Sequence, residues 1–275
     1  MTPLGTAMSQ GWQAQLDVEF GLGQQKTILT QRRHQGPLTI QRPFYPEGDV
    51  CHLYLLHPPG GVVAGDRLTI NIHATADSAA LVTTPAAGKF YKSSGALARQ
   101  SVSLKVDNGA TLEWLPQETI IYEGAQVAST LRVDLADKAR FIGWEILALG
   151  RPAANEGFSF GEVSLSWQIF RADELFYQER IKLDAKAFLA RWGLNGHSAS
   201  GTLFICPALP EHLQAVQQLI DEQSGRGVTL IGDLLICRAL DLRADKLRDF
   251  FQQVWVLLRP DVLQRPSCAP RIWAT

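Results

Sequence analysis

Through the first two thirds of the chain, apolar and polar residues alternate in short runs, and each run ends in a turn of small residues. Four stretches share this layout: LTINIHATADSAALVTT, SVSLKVDNGATLEWL, TLRVDLADKARFIGW and SLSWQIFRADELFYQERI. Leu68, Ile70 and Ile72 fall on one side of the first, and Leu131, Val133 and Leu135 on one side of the third. A period of two puts such residues on one face of a half-buried strand, so each stretch predicts two strands joined by a hairpin or corner. The turn aspartates Asp77, Asp107, Asp137 and Asp173 recur at intervals of 30, 30 and 36 residues. That is a weak internal repeat, matching stacked strand pairs and also the ordinary turn frequency of an all-β domain.

The last third changes period. LPEHLQAVQQLIDEQ sets Leu209, Leu213, Val216, Leu219 and Ile220 on one helical stripe, with Pro210 in a helix-starting position. RADKLRDFFQQVWVLLR repeats the stripe with Leu247, Phe250, Phe251, Val254, Leu257 and Leu258, and Pro260 is the expected stop. VTLIGDLLICRAL between them reads as a buried strand. The expected fold is β-rich, with stacked antiparallel or helix-like strand layers and two α-helices in the C-terminal third. We expect one domain over residues 1–275, with a β-body over about 15–190 and a strand-plus-helix region over about 200–260. No linker composition marks a boundary near residue 190.

Composition narrows the class. In 275 residues, 46% are apolar and 19% charged, with a formal net charge of −1. No global basic field exists to draw nucleic acid or an anionic membrane. The N-terminal MTPLGTAMSQGWQ lacks the basic-then-apolar pattern of a secretory signal, and no apolar run reaches bilayer length. Cys51, Cys206, Cys237 and Cys268 form no C-x-x-C pair, and a cytoplasmic, reducing setting is expected.

Chemical motifs are sparse. TTPAAGKFYKSSG has Gly88-Lys89, but Thr83 and Phe90 stand where a phosphate loop needs glycine and a hydroxyl. GRGVTLIG follows a helix and precedes a strand, the reverse of a dinucleotide fingerprint, and reads as a helix cap and turn. The histidines make no H-x-x-H pair, and Cys51 and His52 would point to opposite faces of a strand. No tightly bound metal is expected, while a transient site at His57 or a lone cysteine stays open. Glu145 in IGWEILALGR and Glu179 in LFYQERIKL interrupt apolar runs. Each is either on an outer face, paired with an arginine such as Arg151 or Arg180, or part of a solvated internal passage.

LHPPGGVVAGD, residues 56–66, is the most unusual stretch. Pro58 and Pro59 fix φ, Gly60 and Gly61 permit positive φ, and the result is a rigid corner. It also resembles the signature of the urease accessory protein D family, in which His-Pro-Pro-Gly-Gly is followed by Gly-Asp. TTPAAGKFYKSS, with Lys89 and Tyr91, is similar to that family's Thr-Pro-Gly-Ala-x-Lys-aromatic stretch. LPQETI, EILALGR and PRIW follow in the family's order. Ala64 and Ala86 stand where the family pattern has glycine, and Gly88 where threonine is common.

The resemblance implies a β-rich, non-catalytic maturation factor. It implies partners too: accessory protein F, the GTPase accessory protein G and the apo-urease subunits, with no nucleic acid or membrane. By the same resemblance, that assembly would promote carboxylation and nickel insertion at the urease active site. No permanent cofactor is expected, only nickel in transit. A passage through such a body would use oxygen ligands, for which Asp66, Glu145 and Glu179 are the candidates. The competing reading is a metal-dependent hydrolase on a β-scaffold with Glu145 and Glu179 as its acid and base, which requires the two carboxylates to converge.

Overall fold

The computed structural model describes residues 11–221 and 223–274; the first ten residues, which carry most of the signal-peptide reading, and Glu222 lie outside the described residues. In chain order the strands begin with β1 Gln13–Leu22, β2 Thr27–Gln35, β3 Thr39–Ile40, β4 Cys51–Leu56, β5 Arg67–Ala74 and β6 Ala79–Thr83. They continue with β7 Gly88–Phe90, β8 Ala98–Val106, β9 Thr111–Trp114, β10 Thr119–Ile121, β11 Gln126–Leu135 and β12 Arg140–Leu149. Then come β13 Glu162–Arg171, β14 Glu174–Asp184, α1 Ala185–Leu189, β15 Ala199–Cys206 and α2 Pro210–Ile220. The chain closes with β16 Arg226–Ile231, β17 Leu234–Asp241 and α3 Ala244–Leu263.

Two sheets face each other. The first runs β14-β13-β11-β8-β5-β1-β2, and the second β16-β17-β15-β12-β9-β6-β4-β3, with β10 paired to the C-terminal part of β12 and β7 paired to β10. Three of the four alternating stretches are corners rather than hairpins: β5 to β6, β8 to β9 and β11 to β12 each cross from the first sheet to the second. Successive coils therefore pair in parallel, β5 with β8 and β8 with β11 in one sheet, β6 with β9 and β9 with β12 in the other. The corners stack as well. Asp107 N donates to Ala74 O and Ala136 N to Val106 O. The 30-residue interval is one coil of this helix-like stack.

The fourth stretch breaks the period for a local reason. Ala172 and Asp173 take positive φ, 47° and 66°, and form a tight two-residue turn, so β13 and β14 are a true antiparallel hairpin. Antiparallel pairing also flanks the stack at β1–β2, β12–β15, β15–β17 and β16–β17. The β12–β15 pairing carries the second sheet across residue 190.

The burial pattern follows from the layering. The first sheet has one face in solvent, and its inner strands β1, β5, β8, β11 and β13 keep the alternation while the edge strands β2 and β14 are mostly exposed. The second is covered on both faces, so β4, β6 and β9 are buried almost continuously. One core fills the space between the sheets, with Leu16, Phe20, Leu104, Val133 and Phe141 fully buried. The other lies between the second sheet and the helices, with Trp144, Leu203, Leu247, Phe251 and Trp255.

Two predicted elements differ, and one element is additional. VTLIGDLLICRAL is two strands turning at Gly232 and Asp233, not one. α3 runs three residues beyond Pro260, whose ring removes only one backbone donor close to the helix end. The short α1 is a third helix, capped by Asp184 accepting from Ala187 N at 2.8 Å. Five residues are too few to show a period.

Candidate functional site

The motif segments of the sequence meet at one place. Residues 57–66 leave β4 and turn back along β7, where Val62 N donates to Lys89 O and Tyr91 N to Val62 O. β7 pairs in parallel with β10, and β10 with β12, so LHPPGGVVAGD, GKFY, PQET and EILALGR lie side by side. Between the two sheets these segments border a cavity of about 320 Å³. His57, Pro58, Gly60, Gly88 and Lys89 line it near the surface, and Gln100, Trp114, Leu131 and Glu145 line it inside.

Each loop residue has a local task. Gly60 takes φ +79°, which an L side chain rarely adopts, and its N–H donates to His57 O. A Cβ on Gly61 would lie 2.2 Å from Tyr91, whose ring packs on Tyr122 with centroids 4.8 Å apart. Asp66 is buried away from the cavity lining, and its carboxylate accepts from Trp12 N at 2.8 Å and Val63 N at 2.9 Å. It ties the loop to the start of β1. Burial pulls the His57 pKa below its usual value, although the Asp66 charge opposes this.

The departures from the family pattern are accommodated. Ala64 and Ala86 are not among the residues with positive φ, so neither needs the freedom of glycine. A Cβ at Gly88 would meet Thr119 at an ordinary 3.5 Å, leaving room for a side chain there.

Glu145 projects from β12 across the layers toward the first sheet. Trp167 on β13 donates from Nε1 to its Oε2 at 2.5 Å, and Oε1 makes no hydrogen bond among the described residues. Protein surrounds this side chain, but part of its surface faces the cavity. Burial pushes the carboxyl up to about 7, and the indole hydrogen bond only partly offsets this.

Glu179 is placed differently. Arg238 donates to its Oε1 at 2.8 Å and the Tyr177 hydroxyl to its Oε2 at 2.9 Å, which ties the edge of the first sheet to β17. It pairs in register with Trp167, whose indole reaches Glu145, and it does not line the cavity. Its arginine partner is Arg238, neither Arg180 nor Arg151; Arg151 pairs with Glu156. Of the three carboxylates considered for a passage, the structure puts only Glu145 on the cavity. The convergence needed by the hydrolase reading is absent. Because Arg238 is half exposed, Glu179→Gln is expected to cost less than about 1 kcal/mol in urea unfolding. A loss of 3 kcal/mol would mark the pair as deeply desolvated instead.

A second polar cluster went unread in the sequence. On the helix side of the second sheet, Arg259 of α3 is fully buried and donates to Glu113 and Glu47. Trp255 Nε1 reaches Glu113 at 2.6 Å, and His52 Nε2 lies 2.6 Å from Glu47. Cys51, one residue before, faces the other core, as the alternation of a strand requires. Among the described residues no three His, Cys, Asp or Glu side chains are arranged to hold a metal ion, and no helix is long and apolar enough to cross a membrane.

The sequence as a whole matches known proteins. A family profile described as UreD urease accessory protein covers residues 13–274. The urease accessory protein UreD of Pseudomonas putida strain W619 is 44% identical over 266 residues, 96% of this chain and 95% of that protein. That of Citrobacter koseri is 43% identical over 271 residues, 98% and 93% of the two chains. That of Trichormus variabilis is 41% identical over 271 residues, 97% of each. With a family match over nearly its whole length and relatives of this identity, the chain belongs to the UreD family of urease accessory proteins, and its role lies in urease maturation.

Proposed function

We propose that this chain is a non-catalytic cytoplasmic scaffold that acts with accessory protein F and the GTPase accessory protein G. In this reading the three bind apo-urease and promote GTP-dependent nickel insertion. Nickel is cargo and passes the cavity beside Glu145, with no ion held permanently. The observation that supports the reading is the convergence of the family-motif segments on one cavity with a free carboxylate oxygen inside it. A carboxylate is a hard oxygen donor suited to a divalent cation, and a single one holds such an ion weakly enough to release it. Asp66 and Glu179 take no part in this passage; they serve as a loop cap and an inter-sheet clamp.

Glu145→Gln tests the proposal, because it keeps the side-chain shape and removes the charge. The complex with F, G and urease should still assemble, since assembly rests on surface burial. Activated urease per assembled complex should fall several-fold. A ratio equal to wild type would remove Glu145 from the route. Failure of the wild-type chain to assemble with these proteins would overturn the scaffold reading itself.

A further inference from the structure

We infer that the end of the sandwich where the parallel strands of the first sheet begin is a docking surface for a protein face carrying an apolar pocket rimmed by carboxylates, anchored by Leu189 and Trp192. The inference deepens the proposed role and rests on it, because it assigns where one protein of the assembly is held.

The anchor pair is unusual for its exposure. Leu189 is 70% exposed and Trp192 73%, the highest among the large apolar side chains described. The turn that carries them is nevertheless well tied. Leu194 N donates to Ala187 O, Gly196 N donates to Phe188 O, and Phe188 packs edge-on against buried Phe158. Leu189 and Trp192 are therefore presented on a fixed backbone, which lowers the ordering cost of binding. A preformed tryptophan beside arginine is the usual composition of an interface hot spot.

Topology gathers more apolar surface at the same end. Gln13, Arg67 and Arg99 are register partners at the starts of β1, β5 and β8, and Glu162 and Asp184 pair where β13 begins and β14 ends. Trp12 precedes β1 at 63% exposure, Val63 lies in the loop before β5, and Phe160 lies just before β13. Scattered exposed apolar residues need no explanation, but a set gathered at one end marks a contact surface.

Charge selects the occupant. Arg67, Lys92, Arg99, Lys186 and Arg191 are exposed at this end and make no ion pair among the described residues. The carboxylates nearby are already engaged. Asp66 and Asp184 cap their loops, Glu156 pairs with Arg151, Glu162 with Lys182, and Glu123 accepts from Ser159. A chain with formal charge −1 thus gathers free positive charge at this end, with Lys186 and Arg191 in the same segment as Trp192. The complementary face is acidic at its rim and apolar at its centre.

The test uses the full chain, co-purified with accessory proteins F and G and the urease subunits from one source. Variants are Leu189→Ala with Trp192→Ala, and separately Lys186→Glu with Arg191→Glu. All four side chains lie on the surface, so the urea midpoint should stay at the wild-type value. Retention of the assembly should fall at least tenfold in both variants, and raising salt should weaken wild-type retention. If both variants retain the assembly as wild type does while wild type binds, the surface inference is wrong and the scaffold reading stands. If wild type binds none of these proteins, the scaffold reading is what fails. Two further outcomes also overturn the inference. One is loss of self-association alone, which would make the occupant a second copy; the other is loss of binding to anionic phospholipid vesicles alone.

Discussion

Replacing Arg259 with leucine is expected to lower folding stability by about 3–5 kcal/mol at pH 7.5, the cost of leaving buried charge without its partner. The guanidinium is fully buried against Glu113, with Nε to Oε2 at 3.0 Å and Nη2 to Oε1 at 2.9 Å, and Nη2 also reaches Glu47 at 2.8 Å. It donates to Pro266 O as well, so the segment after α3 is held through the same side chain. Trp273 in that segment packs on both Trp144 and Trp255. Leucine would fill part of the volume and leave two carboxylates in an apolar layer.

The pH dependence gives a second reading of the same variant. Burial alone would raise the Glu47 pKa, but hydrogen bonds from His52 and Arg259 outweigh it and hold the group below its usual value. A lowered folded pKa contributes stability above the ordinary carboxyl range and loses it as pH falls through the folded value. Without Arg259 the balance tips toward burial and the proton is retained. The deficit should therefore shrink as pH is lowered from 7.5 to 5. Urea unfolding at both pH values measures this, and combining Glu47→Gln and Glu113→Gln with the leucine should restore a large part of the loss. A deficit under 1 kcal/mol, or one that grows on acidification, would show that the cluster is open to water.

This cluster also shows where sequence reading stops. Glu113 interrupts the apolar run TLEWL just as Glu145 interrupts IGWEILALG, so the argument that singled out Glu145 applies to it equally. Arg259 falls one helical turn after Trp255, on the face that packs on the sheet. Neither signal reveals that residues 146 positions apart are partners. The coils were legible because each corner repeats small turn residues at a fixed interval. The sheet assignment was not, because a corner and a hairpin use the same turn chemistry and differ in where the second strand docks. The same gap separated Glu145 from Glu179. Both sit in apolar runs, yet β12 lies in the middle of a sheet covered on both faces and β14 at the edge of the other, within reach of Arg238.

Glu145→Gln is expected to stabilise the isolated chain by about 2 kcal/mol at pH 8 and to be nearly neutral at pH 5. The folded carboxyl holds its proton until about pH 7, whereas the unfolded one ionises near 4.5. Between these values folding takes up a proton, so stability falls as pH rises through that window and levels off above it. A shift of this size corresponds to about 3 kcal/mol, and water entering the cavity reduces it to about 2. Glutamine accepts the Trp167 hydrogen bond through its carbonyl oxygen and has no charge to desolvate, so it escapes the penalty. Urea unfolding of both proteins across pH 5 to 8 would trace the difference. A variant less stable than wild type throughout would show that a cation or a further donor pairs with the ionised carboxylate in the isolated chain. The expected sign also strengthens the activation experiment. If Glu145→Gln folds more firmly at pH 8, assembles with its partners and still activates less urease, instability cannot account for the loss, and what remains is the missing charge in the cavity.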